Sequence, residues 1–265
     1  MKKGICFYFG FDVLAEERVK AIKDAGFDCV IASADPMFDD QNSSIKNQIK
    51  LFKKYNLELS SLHMTYSDPT LPMFWTASKE GDLQEKRLKK DVKIAHKYGF
   101  KEVVVHLYGS PSEIGLKRLK RVLKLCHRLH IPLAIENIND YNIFNYVFSN
   151  IKDDYLKFCW DCGHSNVYSK DIDYMSLYGD KLACVHLHDN KGLKDDHTLN
   201  KYGNIDWDIV AQKIAKNNPN ICLDYEILMH YRTSKDNAYN VLQETIKQAK
   251  ELEEKILLLT SDENK

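Results

Sequence analysis

Residues 102–137 read EVVVHLYGSPSEIGLKRLKRVLKLCHRLHIPLAIEN. Val103-Val104-Val105 and Leu133-Ala134-Ile135 are continuous apolar runs, the pattern of strands buried on both faces. Between them, residues 112–129 place Leu116, Leu119, Val122, Leu123 and Cys126 on one stripe, the spacing of an amphipathic helix. The stretch is a strand, a helix and a second strand, the repeating unit of a parallel sheet covered by helices.

The same alternation runs outward in both directions. Apolar runs predict strands at 4–9, 28–33, 58–63, 102–106, 132–136, 157–161, 182–186 and 221–226. Asp12 is placed to cap a helix with Ala15, Val19 and Ile22 on one face and Gly26 as its stop. A helix from Glu85 carries Leu88, Val92 and Ala95 and stops at Gly99, and further helices are predicted near 44–56, 206–217 and 235–256. The helices after strands five and six are the least defined. Eight strands alternating with eight helical segments predict one (β/α)₈ barrel domain over residues 1–265. An open doubly wound sheet is the competing arrangement. It usually carries a glycine-rich phosphate-binding loop, and the sequence has neither G-x-G-x-x-G nor a P-loop.

Lys+Arg and Asp+Glu both number 38, so the overall charge gives no basic excess for a dedicated nucleic-acid partner. Seven cysteines, an odd number, sit mostly inside apolar runs, and the first residues read as a strand rather than a secretory leader. Those features predict reduced thiols and a cytosolic protein. No apolar run approaches the ~18 residues a membrane helix needs.

The strand ends carry the chemistry. Six successive predicted strands finish on a residue able to bind metal: His63, His106, Glu136, Asp161, His186 and Glu226. Barrel strand ends converge on one mouth. A lone histidine or glutamate after a strand is usually structural, but six equivalent positions are hard to obtain by chance. Carboxylates crowded into one mouth repel each other, and a cation removes that cost. Mixed imidazole and carboxylate donors suit Zn²⁺, Mn²⁺, Co²⁺ or Fe²⁺ better than Ca²⁺. His164, Asp195 and His197 lie in loops that can reach the same cup, and His188 shares a strand face with His186.

These pieces are Ala134-Ile135-Glu136-Asn137, Trp160-Asp161-Cys162-Gly163-His164, Val185-His186-Leu187-His188-Asp189-Asn190, Asp195-Asp196-His197 and Ile205-Asp206-Trp207. Together they resemble the xylose isomerase-like barrel superfamily, also called the apurinic endonuclease family 2 group. For its sugar and sugar-phosphate isomerases and epimerases, the resemblance implies one metal held by Glu136, Asp161, His186 and Glu226. Glu136 and Glu226 would move a proton through a metal-stabilised enediolate, with His164 on the substrate. For its endonuclease IV branch, the resemblance implies three zinc ions held by His63, His106, Glu136, Asp161, His164, His186, Asp195, His197 and Glu226. DNA would be the substrate there, cut at apurinic sites by a phosphodiesterase reaction. A non-catalytic metal- or ligand-binding barrel is the third class.

The cofactor expectation is one to three divalent ions, Zn²⁺ or Mn²⁺. The partner expectation is a small sugar, with DNA only in the endonuclease reading and a homodimer by resemblance alone. The loop before Ile205 departs from the usual pattern, with Lys201 replacing the first of two glycines. His63, His106, His164, His188 and His197 are the expected substrate contacts, joined by Trp75. Trp75 stands in the long Met64–Ser78 loop, which resembles that of sugar-active members.

Several features read as structural. Cys159-x-x-Cys162 lacks a second pair, the basic run from Lys117 to Lys124 reads as a solvated helix face, and His96, His127 and His130 fall away from the mouth. His230 is placed as readily on the surface as on substrate. Tyr8, Phe9, Tyr66, Tyr108 and Trp207 read by default as core aromatics, with walling of a sugar pocket as the alternative for some of them.

Overall fold

A computed structural model describes residues 1–11, 13–35, 44–228 and 238–262. Eight parallel strands close in sequence order: β1 (Lys3–Cys6), β2 (Cys29–Ser33), β3 (Glu58–His63), β4 (Glu102–Val105), β5 (Leu133–Glu136), β6 (Leu156–Asp161), β7 (Leu182–Leu187) and β8 (Leu223–Tyr225). The barrel is sealed by β8 returning to β1, with Lys3 opposite Leu223, Gly4 opposite Asp224 and Ile5 opposite Tyr225. This is the (β/α)₈ barrel, and all eight strands fall where the apolar runs placed them. The first is shorter than expected: Phe7, Tyr8 and Phe9 lie beyond the strand, after a last bond from Phe7 N to Ile31 O of 2.9 Å, with Phe7 and Tyr8 lining the cleft at the mouth and Phe9 in the core.

The described helices are α1 (Ala15–Ala25), α2 (Ile45–Lys54), α3 (Lys79–Tyr98), α4 (Glu113–Leu129), α5 (Tyr141–Asn150), α6 (Cys162–Tyr168), α7 (Tyr174–Tyr178), α8 (Trp207–Asn217) and α9 (Ala238–Asp262). Their ends follow local chemistry. Ser78 and Ser112 accept the first free amides of α3 and α4, and Gly26 and Gly99 close α1 and α3 in the left-handed conformation. Leu14 occupies the cap position of α1 without a side-chain bond, and the expected cap Asp12 lies outside the described residues. The ambiguous region after strand six contains two short helices, α6 and α7, rather than one. Among the described residues, no helix is long and apolar enough to cross a membrane.

The main core lies between sheet and helices. A second, small cluster of Val104, Ala134, Cys159 and Cys184 fills the barrel interior. Each of these stands two residues before a mouth residue: His106, Glu136, Asp161 and His186. Side chains two apart on a strand share a face, so strand alternation lays a small apolar floor beneath the polar ring. Cys159 belongs to that floor and Cys162 to the main core, which agrees with reading the C-x-x-C spacing as packing.

Glu102 and Asp91 are among the buried carboxyls outside this ring. Burial, reinforced by Asp224, pushes Glu102 up to about 8, and burial pushes Asp91 up to about 7. Both native groups keep their protons above the pH at which the unfolded chain releases them. Their stabilising contribution is complete in acid and is lost as pH rises toward those values. The melting temperature, measured with chelator present, is expected to fall between pH 5 and pH 9, on the order of the native pKa range. Glu102→Gln is expected to fall less steeply, and an identical slope would remove Glu102 from this account.

Candidate metal centre

Glu136, at the end of β5, is buried and sits at the centre of the mouth. Three imidazoles reach one of its oxygens: His63 Nε2 at 3.4 Å, His106 Nε2 at 3.1 Å and His186 Nδ1 at 3.1 Å. His164 Nδ1 lies 3.1 Å from the other. Glu226, one residue past β8, lies 3.4 Å from the same His186 nitrogen.

Distance alone would suggest a salt-bridge cluster, but direction does not. Neither Glu136 oxygen, neither His186 nitrogen nor His106 Nε2 has a properly aimed hydrogen-bond partner. Buried polar atoms are almost always paired. Here they crowd together while pointing past one another, as donors aimed at a shared centre do. The donor atoms of Glu136, Asp161, His186 and Glu226 all lie within 4.8 Å of one another, as do those of His63, Glu136 and His186. Two carboxylates, a third from Asp161 and imidazole nitrogen are the donors a Zn²⁺ or Mn²⁺ ion accepts.

The imidazoles are also fixed from behind. Nδ1 of His63 donates to Met64 O at 2.8 Å, that of His197 to Glu226 O at 2.8 Å, and that of His164 to Asn137 O at 3.0 Å. Each bond selects the tautomer whose Nε2 lone pair faces the cleft, the arrangement that orients metal-binding histidines. His197 takes a left-handed backbone (φ 47°) to achieve this, an uncommon conformation for a residue with a side chain.

A second group forms beside the first. Asp195 Oδ2 lies 3.1 Å from His164 Nε2 and 3.2 Å from His197 Nε2, and donor atoms of His164, His188, Asp195 and His197 lie within 4.8 Å of one another. All nine residues matched by the endonuclease pattern therefore converge on the mouth.

Two residues with no assigned role in the sequence build this geometry. Asn137 continues the β5–β6 ladder with its side chain, donating to Asp161 O at 2.9 Å and accepting from Asp161 N at 2.8 Å. Asp189 gathers the amides of Asn190, Asn204 and Ile205 and the Trp207 indole at 2.7–3.1 Å. It thereby folds the loop that delivers Asp195 and His197.

The cleft holds about 220 Å³ and is lined by His63, His106, His164, Asp195, His197 and Glu226 together with Cys6, Tyr8, Tyr66, Tyr108, Tyr168 and Ile138. Tyr8, Tyr66 and Tyr108 take the alternative to core packing and wall the cleft. Trp75 is the converse correction. It is buried against α4 in the outer core rather than on the cleft; a Cβ at Gly115 would lie 1.9 Å from its ring. His188 is also corrected. It is fully buried behind Asp161, 3.1 Å from Oδ1, and stacked on His197 at 3.8 Å, so it is not a substrate contact. Arg118 is not part of a solvated face: it is buried and donates to Phe74 O at 2.7 Å and Thr76 O at 2.6 Å, anchoring the loop that holds Trp75. His96, His127 and His130 bond to Leu129 O, Asp153 and Tyr155 away from the mouth, as expected. His230 lies outside the described residues.

Electrostatics follow from the crowding. Burial would raise the Glu136 carboxyl, but His186 and His106 overcome it and hold the group well below the usual carboxylate range. Burial works against charge on His186, yet Glu226 and Glu136 push it well above the usual imidazole value. His164 is raised in the same way by Asp161 and Asp195, and Asp195 raises His197 to about 9 against its burial. Without a cation, protons supply the missing positive charge.

The family profile described as the xylose isomerase-like TIM barrel matches residues 19–258. The uncharacterized protein MJ1614 of Methanocaldococcus jannaschii is 24% identical over 217 residues, 77% of this chain and 80% of its own. The uncharacterized protein y4fM of Sinorhizobium fredii is 31% identical over 121 residues, so the match spans 43% of this chain and only 39% of that relative. Among solved structures, a D-tagatose 3-epimerase-like protein superposes with a TM-score of 0.77 at 18% identity, covering 99% of both chains. The IOLI protein with a bound zinc atom gives 0.72 at 14% identity, covering 97% of this chain and 99% of its own. The 3-keto-D-glucoside 4-epimerase YcjR of E. coli gives 0.71 at 16%, covering 95% and 99%. At these identities the likeness to solved structures is one of fold.

Two outcomes follow. A histidine must be neutral to ligate, so an ion entering this site displaces protons that His164, His186 and His197 hold at neutral pH. Zinc titration calorimetry at pH 7 in buffers of different ionisation enthalpy should show proton release, and affinity should rise with pH. Buffer-independent heats would contradict the assignment. Trp75→Ala is expected to cost about 3–5 kcal/mol of stability, as large core truncations do, while KM stays near wild type; a large KM effect without destabilisation would return Trp75 to the cleft.

Proposed function

The chain belongs to the xylose isomerase-like TIM-barrel family, and we propose that within it the protein is a metal-dependent sugar or sugar-phosphate isomerase or epimerase. One observation carries the reading. Glu136, Asp161, His186 and Glu226 bring one donor atom each within 4.8 Å of one another, and Glu226 carries the group to a small aromatic-walled cleft. Two of the four are glutamates, which can hold an ion and also exchange a proton. Structural neighbours named as sugar epimerases support the same class.

A cation bound by these four residues supplies Lewis-acid polarisation of the substrate's adjacent oxygens. The remaining work belongs to the chain. Glu136, held ionised by its histidines, takes the proton from the carbon beside the carbonyl. Glu226, which lines the cleft, returns one, or the two exchange roles for the reverse reaction. His63, His106, His164 and His197 face the cleft and hold the hydroxyls. Tyr8, Tyr66, Tyr108 and Tyr168 wall it against bulk water. The seven cysteines form no disulfide, which supports a reducing, cytosolic setting for a single barrel domain.

A second reading has its own observation: the His164, His188, Asp195, His197 group adds donors beyond one ion, as a three-zinc phosphodiesterase requires. Metal content separates the two. Mass spectrometry of Cys29→Ser/Cys222→Ser protein, which keeps the mouth donors as its candidate ligands, purified without chelator or His tag, is expected to find about one ion per chain, whereas about three would favour cleavage of abasic-site DNA. For the leading reading, Glu136→Gln and Glu226→Gln should each abolish deuterium uptake from solvent into a ketose while the circular dichroism stays native. Unchanged exchange in both variants would remove the acid–base assignment and leave a ligand-binding barrel.

A further inference from the structure

At the opposite end of the barrel interior from the mouth, three donors meet that the proposed chemistry does not use. Cys29 begins β2, Cys222 precedes β8, and Asp224 lies within β8. Cys29 Sγ lies 2.9 Å from Cys222 Sγ, Cys222 Sγ lies 3.2 Å from Asp224 Oδ1, and Cys29 Sγ lies 3.9 Å from the same oxygen. The strand between them is β1, where Gly4 pairs with Cys29 on one side and with Asp224 on the other.

Gly4 makes the meeting possible. A Cβ there would sit 1.9 Å from Asp224 Oδ1 and 3.0 Å from Cys29 Sγ. Its φ is not in the left-handed region, so the position needs a glycine for space, not for backbone freedom. The second Asp224 oxygen is already held by Ser60 Oγ at 2.5 Å, which fixes the carboxylate with Oδ1 turned to the two thiols.

We propose that Cys29, Cys222 and Asp224 form a separate cation site that takes a thiophilic divalent ion such as Zn²⁺. A tetrahedral zinc with bonds of about 2.3 Å to sulfur and about 2.0 Å to oxygen needs donor separations of roughly 3.5–3.8 Å. The three separations here bracket that range, and side-chain rotation alone brings them to it. A disulfide fits less well. The two cysteines stand on strands separated by β1 rather than on paired neighbours, and the carboxylate oxygen that meets both thiols is a donor an ion uses and a disulfide does not. Cys222 is partly exposed and gives an ion its path in and a solvent molecule the fourth position. The thiol protons leave to solvent as the ion enters. Bound there, the ion ties β2 to β8 across β1, clasping the seam where the barrel's first and last strands meet.

Cobalt(II) tests this, because the residues assigned to the mouth centre include no cysteine. Metal-stripped protein titrated with Co²⁺ is expected to develop a near-ultraviolet thiolate-to-cobalt charge-transfer band that added Zn²⁺ bleaches. The band should persist in Glu136→Gln, which damages the mouth centre, and in Cys6→Ser, which removes the thiol lining the cleft. It should be lost in Cys29→Ser/Cys222→Ser and in Gly4→Ala, each checked for native circular dichroism. Absence of the band in the wild-type protein overturns the proposal without any variant, and so does a band that survives the double substitution.

Discussion

One buried carboxylate has to satisfy four imidazoles. Glu136 cannot do so by hydrogen bonds: its oxygens lie 3.1–3.4 Å from His63, His106, His164 and His186, yet none of those contacts is properly directed. A ring of this kind is stable only with positive charge at its centre, from protons or from an ion. The rest of the barrel accommodates that demand. Small side chains beneath the ring leave its members room to converge, and carbonyls behind the histidines fix which nitrogen faces inward.

Much of this was legible in the sequence because parallel strands are one-dimensional objects. An apolar run ending in His, Asp or Glu states both where a strand stops and what it delivers to the mouth. The six strand ends from His63 to Glu226 converge, although His106 and Glu226 fall one residue beyond their strands. Loop contributions were harder to read. Asp195 and His197 were recognisable as donors, but the residue that brings them in, Asp189, looked like one more polar residue in a polar turn. Its importance lies in four bonds to backbone amides and an indole, which no spacing rule reveals.

The aromatics show the same limit. Tyr66 and Trp75 stand nine residues apart on one connection, and composition cannot say which faces the cleft. A signal did exist elsewhere. Gly115 stands in the first turn of α4, and the space it leaves is filled by the Trp75 ring. Gly163 stands in the same relation to His188: a Cβ there would lie 2.0 Å from the imidazole. Glycines in the first turns of helices thus mark which bulky side chains go inward.

The way Arg118 holds the long connection after β3 bears on how this protein can change over generations. The guanidinium grips the backbone oxygens of Phe74 and Thr76, and carbonyls are the same whatever side chain they carry. Asp35 likewise receives the amides of Tyr66 and Ser67, each at 2.8 Å. The segment's path is therefore written mainly by anchors outside it. Its own exposed residues are left comparatively free to drift, and lineages can alter the wall of the cleft at Tyr66 without first reinventing the scaffold that presents it.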